Sequence, residues 1–172
     1  MASADPRADS AVDASAGAAP DPGRVAPRAA WRNWAEVLRT QNLAPGQPMD
    51  FVSRWLLIVR ASVFPMTLTS GVIGGLLAVA GPTPATAHWG FFALALVGLV
   101  LAHAANNMIN DYFELAGGVD SETYVRGLYA PHPILSGLIS KGGLIAAIAV
   151  INAIDLAILV YLGAERGPLV YV

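Results

Sequence analysis

The sequence predicts an all-α membrane protein: a multi-pass bundle of transmembrane helices with three full spans and the start of a fourth, preceded by a disordered N-terminal tail. Hydrophobic residues make up 55% of the 172-residue chain and charged residues only 13%, which is too apolar for an ordinary soluble domain. The apolar residues are gathered into runs long enough to cross a hydrocarbon core of about 30 Å. We therefore expect the protein to lie in the cell membrane, with the lipid bilayer as its partner.

The first 48 residues are predicted to stand outside the bundle as an Ala- and Pro-rich tail. Up to about residue 30 the sequence has almost no large apolar side chain, so burial cannot offset the entropy lost on ordering. Trp31, Trp34 and Leu38 then follow at helical spacing. This segment is either a short interfacial helix at the level of the lipid headgroups or a plain linker. Residues 49–172 form the predicted transmembrane domain.

The first predicted span covers residues 61–80, which carry no charged side chain and form a helix long enough to cross the membrane core. Arg60 directly precedes this span. Pro65 either kinks the helix or marks where its deeper part begins. Small residues four positions apart allow another helix to approach closely. The two pairs are Ser70 with Gly74, and Gly71 with Gly75.

Two further spans are predicted, the second from about residue 85 to 110 and the third over residues 141–163. The third span contains Asp155, and an ionisable group in mid-span indicates a functional site. The alternative, with Asn152 close by, is a hydrogen-bonded helix contact or a protonated, buried aspartate. The closing residues PLVYV, at 168–172, are typical of the beginning of a fourth span.

Basic residues near the spans predict the orientation of the chain. The segment before the first span and the second loop contain Arg39, Arg54, Arg60, Arg126 and Lys141. The first loop has no Lys or Arg, and the third has Arg166 alone. By the positive-inside rule, the N-terminus and the second loop are expected on the cytoplasmic side.

Charge and cysteine content exclude several classes of function. The net charge is only −2 and the basic residues are scattered, which argues against nucleic acid as a partner. The chain has no cysteine. Disulfides, thiolate metal sites and a thiol nucleophile are therefore excluded.

Polar residues cluster where the second span ends, in the stretch AANNMINDYFELAGGVDSE at residues 104–122. If the helix continues through residue 114, one of its faces carries Asn107, Asn110, Asp111 and Glu114. Acids at a helix C-terminus oppose the macrodipole unless a cation is nearby. Carboxylate and amide oxygens without thiols suit Mg²⁺. The alternative is a solvated helix end with no ligand.

Two further residues belong to the same region. Asp120 follows Gly117 and Gly118, which release the chain from the helix, so its carboxylate can return to the acidic face. His103 lies one turn deeper on that face. Because Mg²⁺ prefers oxygen ligands, we interpret His103 as a hydrogen-bonded helix contact rather than a metal ligand.

The stretch NMINDYFELAGGVD, followed by PHPILSGLIS, resembles the first acidic motif and the cytoplasmic loop of the UbiA superfamily of intramembrane prenyltransferases. The similarity is greatest to the branch that prenylates 1,4-dihydroxy-2-naphthoate in menaquinone synthesis. The residues at matching positions are Asn107, Asn110, Asp111, Gly118 and Asp120. Glu114 stands where the family usually has aspartate, and His132 stands where an arginine commonly precedes the loop proline.

The resemblance implies a helical bundle around a cavity, with two acidic motifs at its cytoplasmic mouth. Mg²⁺ on these motifs binds an isoprenyl diphosphate, the allylic C–O bond ionises, and the ring of an aromatic acceptor, a naphthoate or a similar compound, captures the cation. The expected catalytic residues and Mg²⁺ ligands are Asp111, Glu114 and Asp120. Asn107 and Asn110 are expected beside these ligands, in the coordination shell of the same Mg²⁺.

Charge and position add further candidates for contact with the diphosphate. They are Arg60, Arg126 and Lys141. The resemblance also implies a second acidic motif on a later span. We therefore expect this chain to be the N-terminal part of a longer enzyme of quinone biosynthesis, without turnover of its own.

Two hypotheses from other functional classes remain. One is a small non-catalytic membrane protein that binds lipid or partner helices, with its acids merely solvated. The other is part of a transporter, in which Asp155 and the acidic cluster form an ion path.

Overall fold

The regular structure is helical in the computed structural model, which describes residues 26–81, 86–117, 130–167 and 170. The α-helices in chain order are α1 (Pro27–Thr40), α2 (Phe51–Ile58), α3 (Phe64–Ala80), α4 (Trp89–Ala116) and α5 (Lys141–Arg166). A 3₁₀ turn at Ala61–Val63 leads into α3. No strand occurs among the described residues. The all-α prediction is confirmed.

Three helical segments are long and apolar enough to cross a membrane. They are Ala61–Ala80, Trp89–Ala116 and Lys141–Arg166, with mean hydropathies of 1.8, 1.7 and 2.4. The first segment has the predicted bounds, the second continues past the predicted end at residue 110, and the third continues past residue 163. The predicted start of a fourth span lies outside the described residues except for Val170.

Local sequence explains where the long helices begin and end. Pro65 lies in the first turn of α3, where its missing N–H is not needed, so it marks the helix start. Helix α4 continues through Glu114 as predicted and ends at Ala116, with Gly117 as its C-cap residue. At the start of α5, Ser140 Oγ accepts a hydrogen bond from the Gly143 N–H at 3.0 Å, which is a typical N-cap.

Helix α4 packs against both α3 and α5. On α3, only one of the two predicted small-residue pairs faces α4. A Cβ atom added at Gly75 would lie 2.4 Å from the Phe92 ring, and one added at Gly71 would lie 2.4 Å from the Leu96 side chain. A Cβ at Gly74 would meet nothing within 4 Å. Gly71 and Gly75 are therefore the residues that allow α3 and α4 to approach closely.

We expect Gly75→Leu to destabilise the protein by about 1–3 kcal/mol, because the new side chain must displace Phe92 from the α3–α4 contact. Gly74→Leu is the matched control, since it adds the same side chain one residue away in open space. Unfolding of both variants in mixed micelles of increasing SDS content gives the comparison. Equal stability of the two variants would contradict the assigned contact face.

The two N-terminal helices form a layer over one end of the bundle. Helix α1 packs against α2 and against the 3₁₀ turn. The buried cluster beneath this layer joins residues from α1, α2, α4, α5 and the loops: Val37, Leu43, Met49, Leu57, Ile58, Met108, Leu138 and Leu144. The layer therefore lies at the end where α4 finishes and α5 begins, the end that carries the polar stretch.

Asp50 connects α1 with α2 through hydrogen bonds. Its Oδ1 accepts hydrogen bonds from the Ser53 N–H at 2.9 Å and from Trp34 Nε1 at 2.8 Å, and its Oδ2 accepts one from Ser53 Oγ at 2.6 Å. Burial raises the pKa of this carboxyl, but the hydrogen bonds from Ser53, Trp34 and Asn33 together bring the pKa below its ordinary value. Asp50 is therefore held as a charged N-cap of α2.

The structure differs from the predicted tail boundary at residue 48. Helix α1 begins at Pro27, and Val37 and Leu43 are only 1% and 9% exposed. The helix that was one alternative for Trp31, Trp34 and Leu38 is present as part of α1. The composition of the segment did not reveal its packing, because Asp50 and the buried partners of Val37 lie farther along the chain. Residues 1–25, predicted to be disordered, lie outside the described residues.

Candidate active site at the end of α4

A cation lies beside the acidic residues of α4, as their position at a helix C-terminus requires. The guanidinium of Arg60 forms an ion pair with Asp111 Oδ1, and its Nη2 lies 3.7 Å from Glu114 Oε2. The Asp111 side chain is fully buried, whereas 35% of the Glu114 side chain is exposed. A buried carboxylate needs such a partner, because desolvation would otherwise disfavour its charged form. Arg60 thus joins the start of α3 to the end of α4.

The backbone at Arg60 is in a left-handed conformation, with φ 55° and ψ 50°. This conformation costs about 1–2 kcal/mol for a residue that is not glycine. It separates α2 from the 3₁₀ turn. The break ends α2 and lets the Arg60 side chain reach α4 instead of continuing around a helix.

The two predicted amides of the motif have different surroundings. Asn107 is buried and donates a hydrogen bond from Nδ2 to the carbonyl of Val59 at 3.0 Å. It therefore holds the backbone next to Arg60. Asn110 is exposed. Although both lie on the predicted face of α4, only Asn107 belongs to the packed part of the site.

The loop before α5 folds onto the end of α4 through His132, which is 8% exposed. Its Nδ1 accepts hydrogen bonds from the N–H groups of Ile134 and Leu135 at 3.2 and 3.3 Å. Its Nε2 lies 3.2 Å from the Asp111 carbonyl. Because Nδ1 is an acceptor, Nε2 carries the hydrogen and donates to that carbonyl. Gly137 allows the tight turn that follows, with φ 68°.

His132 is a site residue whose role was not predicted. The sequence marked it only as a replacement for a family arginine, and no spacing rule indicates a histidine that binds both its own loop and a distant helix. Its position directly before Pro133, at the start of a turn, is the one local signal.

The remaining predicted site residues fall into two groups. Lys141 is exposed at the start of α5, with Nζ 5.0 Å from the centroid of the Tyr112 ring, a cation–π distance. It therefore lies near the acidic end of α4. The predicted ligand Asp120 and the predicted diphosphate contact Arg126 lie outside the described residues.

His103 is deeper in α4 and contacts α3. Its Nδ1 is hydrogen-bonded to the Thr67 hydroxyl, and its ring centroid lies 5.7 Å from that of Phe64. These contacts agree with the interpretation of His103 as a hydrogen-bonded helix contact.

Asp155 lies at the contact between α5 and α4. A Cβ atom added at Gly98 would come within 3.0 Å of Asp155 Oδ1, so the absence of a side chain at Gly98 makes room for the carboxyl group. Asn152 instead donates to the Ile148 carbonyl of its own helix at 2.8 Å. Gly98 and Asp111 are about 20 Å apart along α4. Asp155 is therefore separate from the acidic cluster.

The expected Mg²⁺ site depends on which side chains can supply ligands to the ion. The described part of the chain contains no group of three or more His, Asp or Glu side chains that could hold a metal ion. Asp111 and Glu114 offer two carboxylates on one arginine. Two carboxylates completed by substrate phosphates and water are a usual Mg²⁺ arrangement. Asp111 is fully buried on Arg60, so Glu114 is the described acid of this cluster that an incoming ion can reach.

Comparison of the chain with protein-family models, with curated proteins and with solved structures found no match.

Proposed function

We propose that this chain carries the first acidic motif of an intramembrane prenyltransferase, which transfers a polyprenyl group from an isoprenyl diphosphate to an aromatic acceptor such as a naphthoate in quinone biosynthesis. The observation that supports the proposal is the convergence of Arg60, Asp111 and Glu114 at one end of the bundle. A diphosphate-binding site needs both the carboxylates that hold Mg²⁺ and a cation that meets the phosphate oxygens.

In this proposal, Asp111, Glu114 and Asp120 hold Mg²⁺, which neutralises the charge of the departing diphosphate when it is bound. Arg60 keeps the Asp111 carboxylate charged inside the bundle. Its guanidinium also lies within reach of the exposed part of Glu114, where it can meet a phosphate oxygen. Lys141 adds a second positive charge at the same end of α4.

The surroundings of the acidic cluster suit the rest of the reaction. The helices α3, α4 and α5 are apolar and long enough to cross a membrane, and an allylic cation survives only where water is excluded. Asn107 and His132 hold the two chain segments that carry Arg60 and Asp111. They are positioning residues in this proposal. The cytoplasmic orientation of this end rests on the distribution of basic residues.

A transporter function has weaker support. It requires Asp155 and the acidic cluster to share one ion path, but Asp155 packs against Gly98, about 20 Å along α4 from Asp111.

The non-catalytic alternative requires acids that are only solvated. It is disfavoured by the complete burial of the Asp111 side chain.

The experiment is Mg²⁺-dependent binding of farnesyl diphosphate to the full chain in nanodiscs. We expect Glu114→Gln and Asp111→Asn each to weaken binding by about 10- to 100-fold, with Mg²⁺ removal having a similar effect. Glu165→Gln is the matched control, because Glu165 is exposed near the opposite end of α5. Circular dichroism checks that the variants remain helical. Unchanged, Mg²⁺-dependent binding in Glu114→Gln and Asp111→Asn would refute the assignment of the motif.

A further inference from the structure

Helix α1 carries a basic face that neither the fold nor the proposed reaction uses. Arg28, Arg32 and Arg39 are separated by four and seven residues, which are close to one and two helical turns, so they share one face of α1. All three are exposed. Glu36 lies beside these arginines, and its Oε1 accepts a hydrogen bond from the Ala44 N–H at 3.1 Å.

The opposite side of α1 is already occupied. Asn33 and Val37 are buried against the rest of the protein, and Trp34 is hydrogen-bonded to Asp50. The basic face therefore points away from the protein core. A groove of about 790 Å³ opens beside it, lined among others by the three arginines, Glu36 and Gln47, so its charged lining is three cations and one carboxylate.

Large apolar side chains flank the basic face. Trp31 and Leu38 are 68% and 47% exposed on the neighbouring side of α1, and Phe51 at the start of α2 is 71% exposed. Exposed tryptophan and leucine beside arginines are typical of helices that lie in the lipid interface. A partner that is only a soluble anion would leave this apolar surface without a function.

The position of α1 relative to the spans identifies the surroundings of this surface. Helix α1 packs against the 3₁₀ turn Ala61–Val63, with which the first apolar segment begins. Gln41, the residue after α1, accepts a hydrogen bond from Ser62 Oγ at 3.2 Å. The C-terminal end of α1 therefore lies at the level where the chain enters the membrane, which is the level of the lipid headgroups.

We propose that α1 is a binding site for anionic phospholipid: Arg28, Arg32 and Arg39 bind the headgroup phosphate, while Trp31, Leu38 and Phe51 enter the adjacent acyl region. Guanidinium groups are suited to phosphate because they present several fixed N–H donors. Negative charge in the cytoplasmic leaflet attracts such basic segments. The lipid is recognised by its negative charge together with its acyl chains.

The test uses the full chain with Ala35→Cys, which introduces the only thiol because the chain has no cysteine. Ala35 is exposed and lines the same groove, so a fluorophore attached there reports on ligands near the arginines. The labelled protein, in an uncharged detergent, is titrated separately with dioctanoyl phosphatidylglycerol, dioctanoyl phosphatidylcholine and inorganic phosphate. We expect a saturable response to phosphatidylglycerol and a much weaker response to the other two.

Substitutions then locate the site. Arg32→Gln should weaken phosphatidylglycerol binding about fivefold, and Arg32→Gln with Arg39→Gln about 25-fold, if each arginine contributes equally. Arg32→Lys should bind phosphatidylglycerol with an affinity close to that of the parent protein, because lysine keeps the positive charge. Arg166→Gln is the control, since it removes an exposed arginine from the other end of α5.

Two results would overturn the proposal: equal responses to phosphatidylglycerol and phosphatidylcholine, or unchanged phosphatidylglycerol binding in the double variant. Phosphate binding as tight as that of phosphatidylglycerol would also overturn it, because the site would then recognise a soluble anion. Since all the substituted residues are exposed, matching circular dichroism spectra are expected for every variant. The outcome of this lipid titration does not depend on whether a prenyl diphosphate binds at Asp111.

Discussion

Replacing Arg60 by glutamine is expected to destabilise the protein by about 3–5 kcal/mol, because the fully buried Asp111 carboxylate loses its cationic partner. Unfolding in mixed micelles of increasing SDS content, followed by circular dichroism, measures the change. Arg166→Gln is the matched control, as it removes an exposed arginine whose guanidinium lies 5.6 Å from the centroid of the Phe91 ring. We expect that control to change stability by less than about 1 kcal/mol.

A double substitution distinguishes the ion pair from other effects of Arg60. In Arg60→Gln with Asp111→Asn, neither charge is buried and the two amides can still hydrogen-bond, so most of the lost stability should return. If the double variant were as unstable as the sum of the single variants, the two residues would not be energetically coupled. The assignment of Arg60 as the partner of Asp111 would then be wrong.

The second large effect is expected for His132→Ala, at about 3 kcal/mol of lost stability. The substitution removes two hydrogen bonds to Nδ1 and one from Nε2, and it leaves the buried groups around the ring to find other partners. His132→Asn should cost roughly half as much, because an asparagine oxygen can still accept from the loop N–H groups in an Asx turn. The same SDS titration gives both values.

His88→Ala is the control for His132. His88 precedes α4 but makes no side-chain capping hydrogen bond, so its loss should have little effect on stability. A His132→Ala protein as stable as His88→Ala would show that the loop does not depend on the imidazole. His132 would then have to be reconsidered as a direct replacement for the arginine of the family pattern.

The three long apolar helices could be predicted because hydropathy and length are local properties of the sequence. The same is true of the continuation of α4 through Glu114, since no helix-breaking residue intervenes before Gly117. The need for a cation near Asp111 also followed from the sequence, through the helix macrodipole. The sequence did not reveal which residue supplies this cation. Arg60 was expected to meet a diphosphate, and its ion pair with Asp111 joins residues 51 positions apart.

Other features depended on contacts that no periodicity reveals. The docking of α1 includes a hydrogen bond from Trp34 to Asp50, 16 positions apart, within a segment whose composition predicted a tail. Of the two small-residue pairs on α3, only tertiary packing decides that Gly71 and Gly75 face α4 while Gly74 is open. The histidine of the loop likewise acquires its role only when Asp111 is placed beside it.

The ion pair between Arg60 and Asp111 also has a consequence for the biogenesis of the protein. Arg60 is synthesised 51 residues before Asp111, so it emerges from the ribosome roughly 3–10 s earlier at about 5–20 residues per second. We expect the ion pair to form only when α4 has been synthesised. The pair would then link the first two apolar segments before the third is complete.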